Sequence, residues 1–195
     1  AMIMLARFVT ARAKLITYLL FLIEIILIEN LLKEGKKRDM IGLFLISILI
    51  ANLHAAVWPF YFILMLPYSA EYLIAKITNK IKSKPKLGIF EKKIDLVQNK
   101  NIKYLGIVFL ISLPLGLLTP IGDVPYTYFI KILQGNTMQY INEHKPLVLI
   151  ENFFVIGYLC ILLIPLIFTK VKIRLSDLFM ILGLLFMSFL SVRHI

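Results

Sequence analysis

The chain contains one cysteine, Cys160. That excludes an internal disulfide and a metal site built from several thiolates. No internal repeat and no low-complexity stretch is present, which argues against a solenoid or an array of small units. The first long apolar run, after Lys14, exceeds a signal-peptide core and no small-residue cleavage site follows it, so a cleavable leader is not expected. Acidic residues are also scarce, 11 against 22 Lys and Arg, for a net charge of +11. Such an excess can suit nucleic acid. Here, however, the cations fall in short segments between apolar runs, the pattern of membrane topology, and no nucleic-acid partner is expected.

What is abundant is hydrocarbon. Sixty per cent of the residues are hydrophobic and the mean hydropathy is +0.87, whereas a soluble domain is usually about 45–50% apolar. Spanning the hydrocarbon layer takes about 20 apolar residues per helix. The expected fold is therefore all-α: a polytopic transmembrane helical protein of about six spans, forming a single membrane domain over 1–195. The spans are placed near Leu15–Leu32, two within Met40–Ile77, Tyr104–Leu118, Leu147–Phe168, and Ser176–Val192. Met40–Ile77 would be about 57 Å long as one helix, too long for one crossing and short for two. A break at the "NLH" of "ANLHAAVWPF" (Ala51–Phe60) resolves this, with Pro59 opening the next helix. Ser176 is expected as N-cap of the last span, with Asp177 in its first turn.

The Lys and Arg distribution then assigns sides. Lys33–Arg38 holds four, the basic loop Lys76–Lys103 nine and Lys170–Arg174 three. If "NLH" is a hairpin tip, all three segments share one face. The positive-inside rule makes that face cytoplasmic, with loops 33–39, 78–103 and 169–175 on the inner side of a bacterial cell membrane. The outer face receives the N-terminal "RFVTARAK", the "NLH" tip, a loop over about 119–146, and the final "SVRHI". Six cations lie there against the rule: Arg7, Arg12, Lys14, Lys131, Lys145 and Arg193. Either they snorkel at helix ends or they meet an anionic ligand such as a lipid phosphate.

All three histidines, His54, His144 and His194, fall on that outer side. Within the outer loop, Tyr126, Phe129, Ile130, Ile132 and Leu133 have helical spacing, so an interfacial helix is expected from about Tyr126 to Gln134, stopped by Gly135. The "NEHKP" that follows pairs Glu143 with His144. Such a pair can transfer protons, bind a hydroxylated ligand or hold a divalent metal, the one cofactor considered; a surface loop can also carry it without use. Glu24 lies mid-span, where a carboxyl is costly and marks function or a helix-to-helix bond. Cys160, among "GYLCILL" with no histidine at its depth, is expected to be inert rather than a peptidase nucleophile.

Several of these segments, in this order, resemble bacterial polytopic membrane proteins similar to the GT-C glycosyltransferases. They are "FVTARAKLITYLLFLIEIILIE", "IANLHAAVWPF", "LLTPIGDVPYTYF", "INEHKPL" and "LSDLFMILGLLFMSFLSVRHI". The resemblance covers nearly the whole chain. It implies transfer of a sugar from a polyprenyl-phosphate donor at the outer membrane face. Arg12, Lys14 and Arg193 would then contact phosphate. His54, Glu143 and His144 are the candidates for acid–base work or sugar contact, and Asn52, Tyr126 and His194 complete the ligand-binding set. One departure counts. GT-C enzymes carry a catalytic aspartate in the first outer loop, and here the first span is followed by the inner-face "KEGKKRD". Asp123, after "TPIG", is expected to serve a turn instead. The chain is accordingly expected to be an internal or reduced piece, with membrane lipids and other segments of a larger protein as partners. Two readings of a different class stay open: a transporter with Glu24 and the "NLH" break lining a path, and a structural membrane subunit.

Overall fold

The computed structural model describes residues 13–81, 94–134 and 172–190, with isolated positions at 157, 161 and 164. The expected fifth span and "NEHKP" lie outside the described residues. The described residues are almost wholly helical, as the all-α expectation required: α1 Ala13–Glu34, α2 Lys37–Leu53, a 3-10 turn Ala55–Val57, α3 Trp58–Ile63, α4 Leu66–Ile81, α5 Ile102–Leu115, α6 Val124–Gln134 and α7 Leu175–Leu190. The exception is a two-residue parallel ladder of β1 (Ile94–Asp95) with β2 (Ile173–Arg174). Two helices, Leu15–Glu34 and Ala55–Lys80, are long and apolar enough to cross a membrane. Helices α5 and α7 are apolar but shorter.

The chain forms two compact units. The first holds 1–69 and 99–133, the second 70–98 and 134–195.

In the first unit, antiparallel and parallel helix pairings follow from side-chain partners. Helices α1 and α2 turn about Gly35, whose φ of +68° is a left-handed conformation that glycine adopts without a Cβ penalty. The Gly35 amide closes the end of α1 on the Leu31 carbonyl at 2.8 Å. On either side of that turn, Leu27 meets Gly42 and Thr17 meets His54, so α2 runs back along α1. Trp58 Nε1 donates to Ser47 Oγ at 3.1 Å and Tyr61 Oη to the Leu43 carbonyl at 3.1 Å. These partners diverge symmetrically about Asn52 and Leu53, so α3 runs back along α2 and "NLH" is a hairpin tip. Pro59 stands in the first turn of α3, where its missing N–H costs nothing. Helix α5 runs parallel to α2. Its start is tied to the Gly35 end by Asn101 Nδ2, which donates to the Leu32 carbonyl at 3.1 Å. Its far end is tied to the tip by Asn52 Nδ2, which donates to the Leu118 carbonyl at 3.1 Å.

The core of this unit is a stripe from each helix: Thr17, Leu20, Glu24, Ile28 and Leu31 from α1; Leu43, Ile46, Ser47 and Ile50 from α2; Trp58 and Tyr61 from α3; Leu105, Val108 and Ser112 from α5. Steps of three and four residues keep each set on one helical face.

In the second unit the basic loop returns along α4. Val97 N–H donates to Glu71 Oε1 at 3.3 Å and Asn79 Nδ2 to Gln98 Oε1 at 3.1 Å. The β1–β2 ladder joins this loop to the segment before α7. The last helix corrects one expectation. It begins at Leu175, so Ser176 lies inside its first turn, buried, with no hydrogen-bond partner for its Oγ among the described residues. The helix start is held instead by Arg174, whose Nη2 and Nε reach the two Asp177 oxygens at 2.9 and 3.1 Å. A guanidinium fork reaches both oxygens of the carboxylate three residues on, which a serine hydroxyl cannot match.

Candidate functional site

The first unit has two distinct ends. At the Gly35 end stand Lys33, Lys36, Lys37 and Arg38, all exposed, with Asn101 and exposed Lys103 from the start of α5. Lys36 pairs with Glu34, and Lys33 lies 3.7 Å from Glu29. At the other end are the "NLH" tip, the turn 116–123 and the start of α6.

That second end gathers several of the expected ligand-binding residues. Asn52 is exposed and its amide bridges two carbonyls, Ile48 at 2.8 Å and Leu118 at 3.1 Å. His54 closes α2, its backbone N–H donating to the Ile50 carbonyl at 2.8 Å. The His54 Nδ1 lies 3.5 Å from Thr17 Oγ1. Thr17 is one turn into α1, so the backbone of Lys14 also belongs to this end. Tyr126 is half-buried: its ring packs edge-on against Trp58 at 4.9 Å and its hydroxyl donates to the Leu113 carbonyl. Burial raises the Tyr126 phenol above its ordinary range. The helix expected from Tyr126 starts two residues earlier, at Val124. Asp123 serves a turn, as expected: its carbonyl accepts from Tyr126 N–H and Thr127 N–H after Gly122 at φ +63°. Arg12, Glu143, His144, Arg193 and His194 lie outside the described residues, as does the side chain of Lys14.

Between the two ends lies a polar layer. Glu24 is fully buried, and neither carboxyl oxygen has a hydrogen-bond partner among the described residues. The α1–α2 pairing sets it level with Ile46 and Ser47. Tyr61, fully buried, gives its proton to the Leu43 carbonyl and so accepts from Ser112 Oγ at 3.2 Å. Through the Leu43 carbonyl Tyr61 sits within about one turn of the Ile46 and Ser47 level of Glu24. Ser47 is occupied by Trp58. Sequence reasoning placed Glu24 mid-span but missed Ser47, Tyr61 and Ser112. Each sits on the inward stripe, at three- or four-residue steps from buried apolar neighbours, but a run apolar all round does not mark which stripe faces inward.

Missed as well was an aromatic row. Trp58, Phe62 and Phe109 contact edge-to-face, with ring centroids 4.8 Å apart for Trp58–Phe62 and 5.1 Å for Phe62–Phe109. With Tyr126 it extends from the polar tip toward the middle of α5. Gly116 makes room for this packing, since a Cβ there would lie 2.7 Å from the Trp58 ring. No group of three or more His, Cys, Asp or Glu able to hold a metal ion occurs among the described residues.

This end carries an amide, an imidazole and the Tyr126 phenol, and the layer beneath carries a carboxyl and three hydroxyls. Comparison with protein families, with curated proteins and with solved structures finds no match.

Proposed function

We propose that this chain is a segment of a multi-pass membrane protein that binds a lipid-linked phosphate or sugar at the outer membrane face, in the manner of GT-C glycosyltransferases. The membrane part rests on an inversion of faces. On α1, Leu15, Ile16, Leu19, Leu22, Ile23 and Ile26 are exposed, while the buried stripe carries Thr17 and Glu24. Water would face a continuous apolar surface, which soluble monomers rarely present; lipid would face its preferred solvent. Of the two candidate windows 33% and 28% is buried, which supports lipid-facing helices.

The single observation that carries the binding site is the segregation of ends. The bridge from Asn52 to the Leu118 carbonyl holds the "NLH" tip beside the α6 turn, opposite the lysine-rich Gly35 end. With the lysine-rich end cytoplasmic, the tip is outermost. Its Asn52, His54 and Tyr126 then meet a headgroup; Arg12, Lys14 and Arg193 are the phosphate candidates and Glu143 and His144 the sugar candidates that the sequence supplies. Lacking the family's first-loop aspartate, this segment binds, and other segments supply the chemistry. About six spans complete the topology. Titrating the purified protein with a polyprenyl phosphate tests the site. Arg12→Ala and Arg193→Ala should each weaken binding about tenfold or more, the loss of a charge-assisted contact of about 1.5–3 kcal/mol. Equal affinity in both variants removes these residues from the site.

The buried Glu24 favours a second reading, transport without chemistry, in which the polar layer lies on a path that opens in another conformation.

A further inference from the structure

We infer that the polar layer around Glu24 is a binding site for one monovalent cation, a proton or a sodium ion. The inference stands apart from the headgroup site at the tip and from its ligand.

Glu24 has no solvent exposure and no hydrogen bond to either oxygen among the described residues. A carboxylate charge left in such a place costs several kcal/mol unless something neutralises it. No lysine, arginine or histidine is among the buried residues described. The helices packed on α1 bring no lysine or arginine to this level among the described residues. On α2 the inward groups are Asp39, Leu43, Ile46, Ser47 and Ile50, and Asp39 lies about two turns toward the Gly35 end. On α5 they are Leu105, Val108 and Ser112, and on α3 Trp58 and Tyr61. The titratable or charged groups facing the site are thus Tyr61, the distant Asp39, an acid, and, about as far toward the tip, His54 beside Thr17. Lys33, Lys37, Arg38 and Lys103 are exposed at the helix ends.

Among the described residues none supplies the neutralising charge, and full enclosure limits what can to a bare ion. The layer has the chemistry for one. Carboxylate, hydroxyl and backbone carbonyl are hard oxygen donors. Glu24, the Ser47, Tyr61 and Ser112 hydroxyls and the Leu43 carbonyl come from four helices at one level. Depth matches the assignment: Glu24 is ten residues from Glu34, about 15 Å at 1.5 Å per residue, halfway through a span of about 30 Å.

The test uses the protein in nanodiscs, wild type beside Glu24→Gln, Ser112→Ala and Tyr61→Phe. Two readouts run in parallel. One is the thermal unfolding midpoint as sodium chloride replaces choline chloride at constant ionic strength. The other is the infrared carbonyl band of a protonated carboxylic acid at neutral pH. A sodium-dependent rise in the midpoint that Glu24→Gln abolishes identifies sodium. Ser112→Ala should then raise the half-effective sodium concentration about tenfold, equivalent to 1.4 kcal/mol. A carboxylic-acid band lost in Glu24→Gln and shifted in Tyr61→Phe or Ser112→Ala identifies a proton. If Glu24→Gln does not accumulate, the sodium response and band position of the other two variants decide. The inference is overturned if neither signal exists, or if both persist unchanged across the variants. Polyprenyl-phosphate affinity, measured alongside, reports on the headgroup site separately.

Discussion

The inward and outward faces of α1 differ in an unexpected direction. The outward face is apolar over its length, with Leu19, Leu22 and Ile26 each more than half exposed. The inward face carries the threonine and the glutamate. In water the hydrophobic effect would drive the opposite arrangement. The lesson is that the outward face answers to solvent alone, whereas the inward face answers to specific partners. Replacing Leu22 by another apolar residue should hardly matter; moving Glu24 by one position should.

The sharpest way to break this comparison is a charge on the outward face. Leu22→Arg should reduce membrane insertion by about 2.5–3.5 kcal/mol, the cost of arginine at a helix centre. A glycosylation-reporter insertion assay checks it. Normal insertion would mean that this face does not meet lipid. Next in size is Gly116→Leu, which drives a side chain into the Trp58 ring. Overpacking of this kind costs about 1–3 kcal/mol, read as a lower thermal midpoint in nanodiscs. Gly35→Ala tests the turn that pairs α1 with α2. A Cβ at φ +68° should cost about 1 kcal/mol, measured in the same assay. Smallest is Tyr61→Phe. It removes the hydroxyl shared by Leu43 and Ser112, and buried interhelical hydrogen bonds in membranes average about 0.6 kcal/mol. A loss well above that would show that the layer acts as a unit with Glu24.

How far the residues themselves disclosed this arrangement varies by element. The break at "NLH" was legible because 38 apolar residues fit neither one crossing nor two, and Pro59 can sit only near a helix start. The α6 helix was legible from spacing and from Gly135, and the Asp123 turn from the preceding Pro120 and Gly122. Glu24 stood out because ionisable groups in long apolar runs are rare. Its neighbours did not stand out, because serine and tyrosine are common on every face of a membrane helix. The Ser176 cap was misplaced by two residues, since the helix begins at Leu175 and Arg174 with Asp177 holds its start.

Local chemistry alone thus determined that these residues are helical, where the chain must turn, and which end of the first unit is rich in lysine. Each of those properties depends on a window of a few residues and on the free energy of putting it in hydrocarbon. Only the tertiary structure decided that Asn52 meets Leu118 across 66 positions, that Trp58 turns to Ser47, and that Tyr61 and Ser112 share a layer with Glu24. Those pairings depend on the rotation of each helix about its axis, set by close packing at Gly42 and Gly116. A hydropathy pattern that is apolar all round cannot specify a rotation.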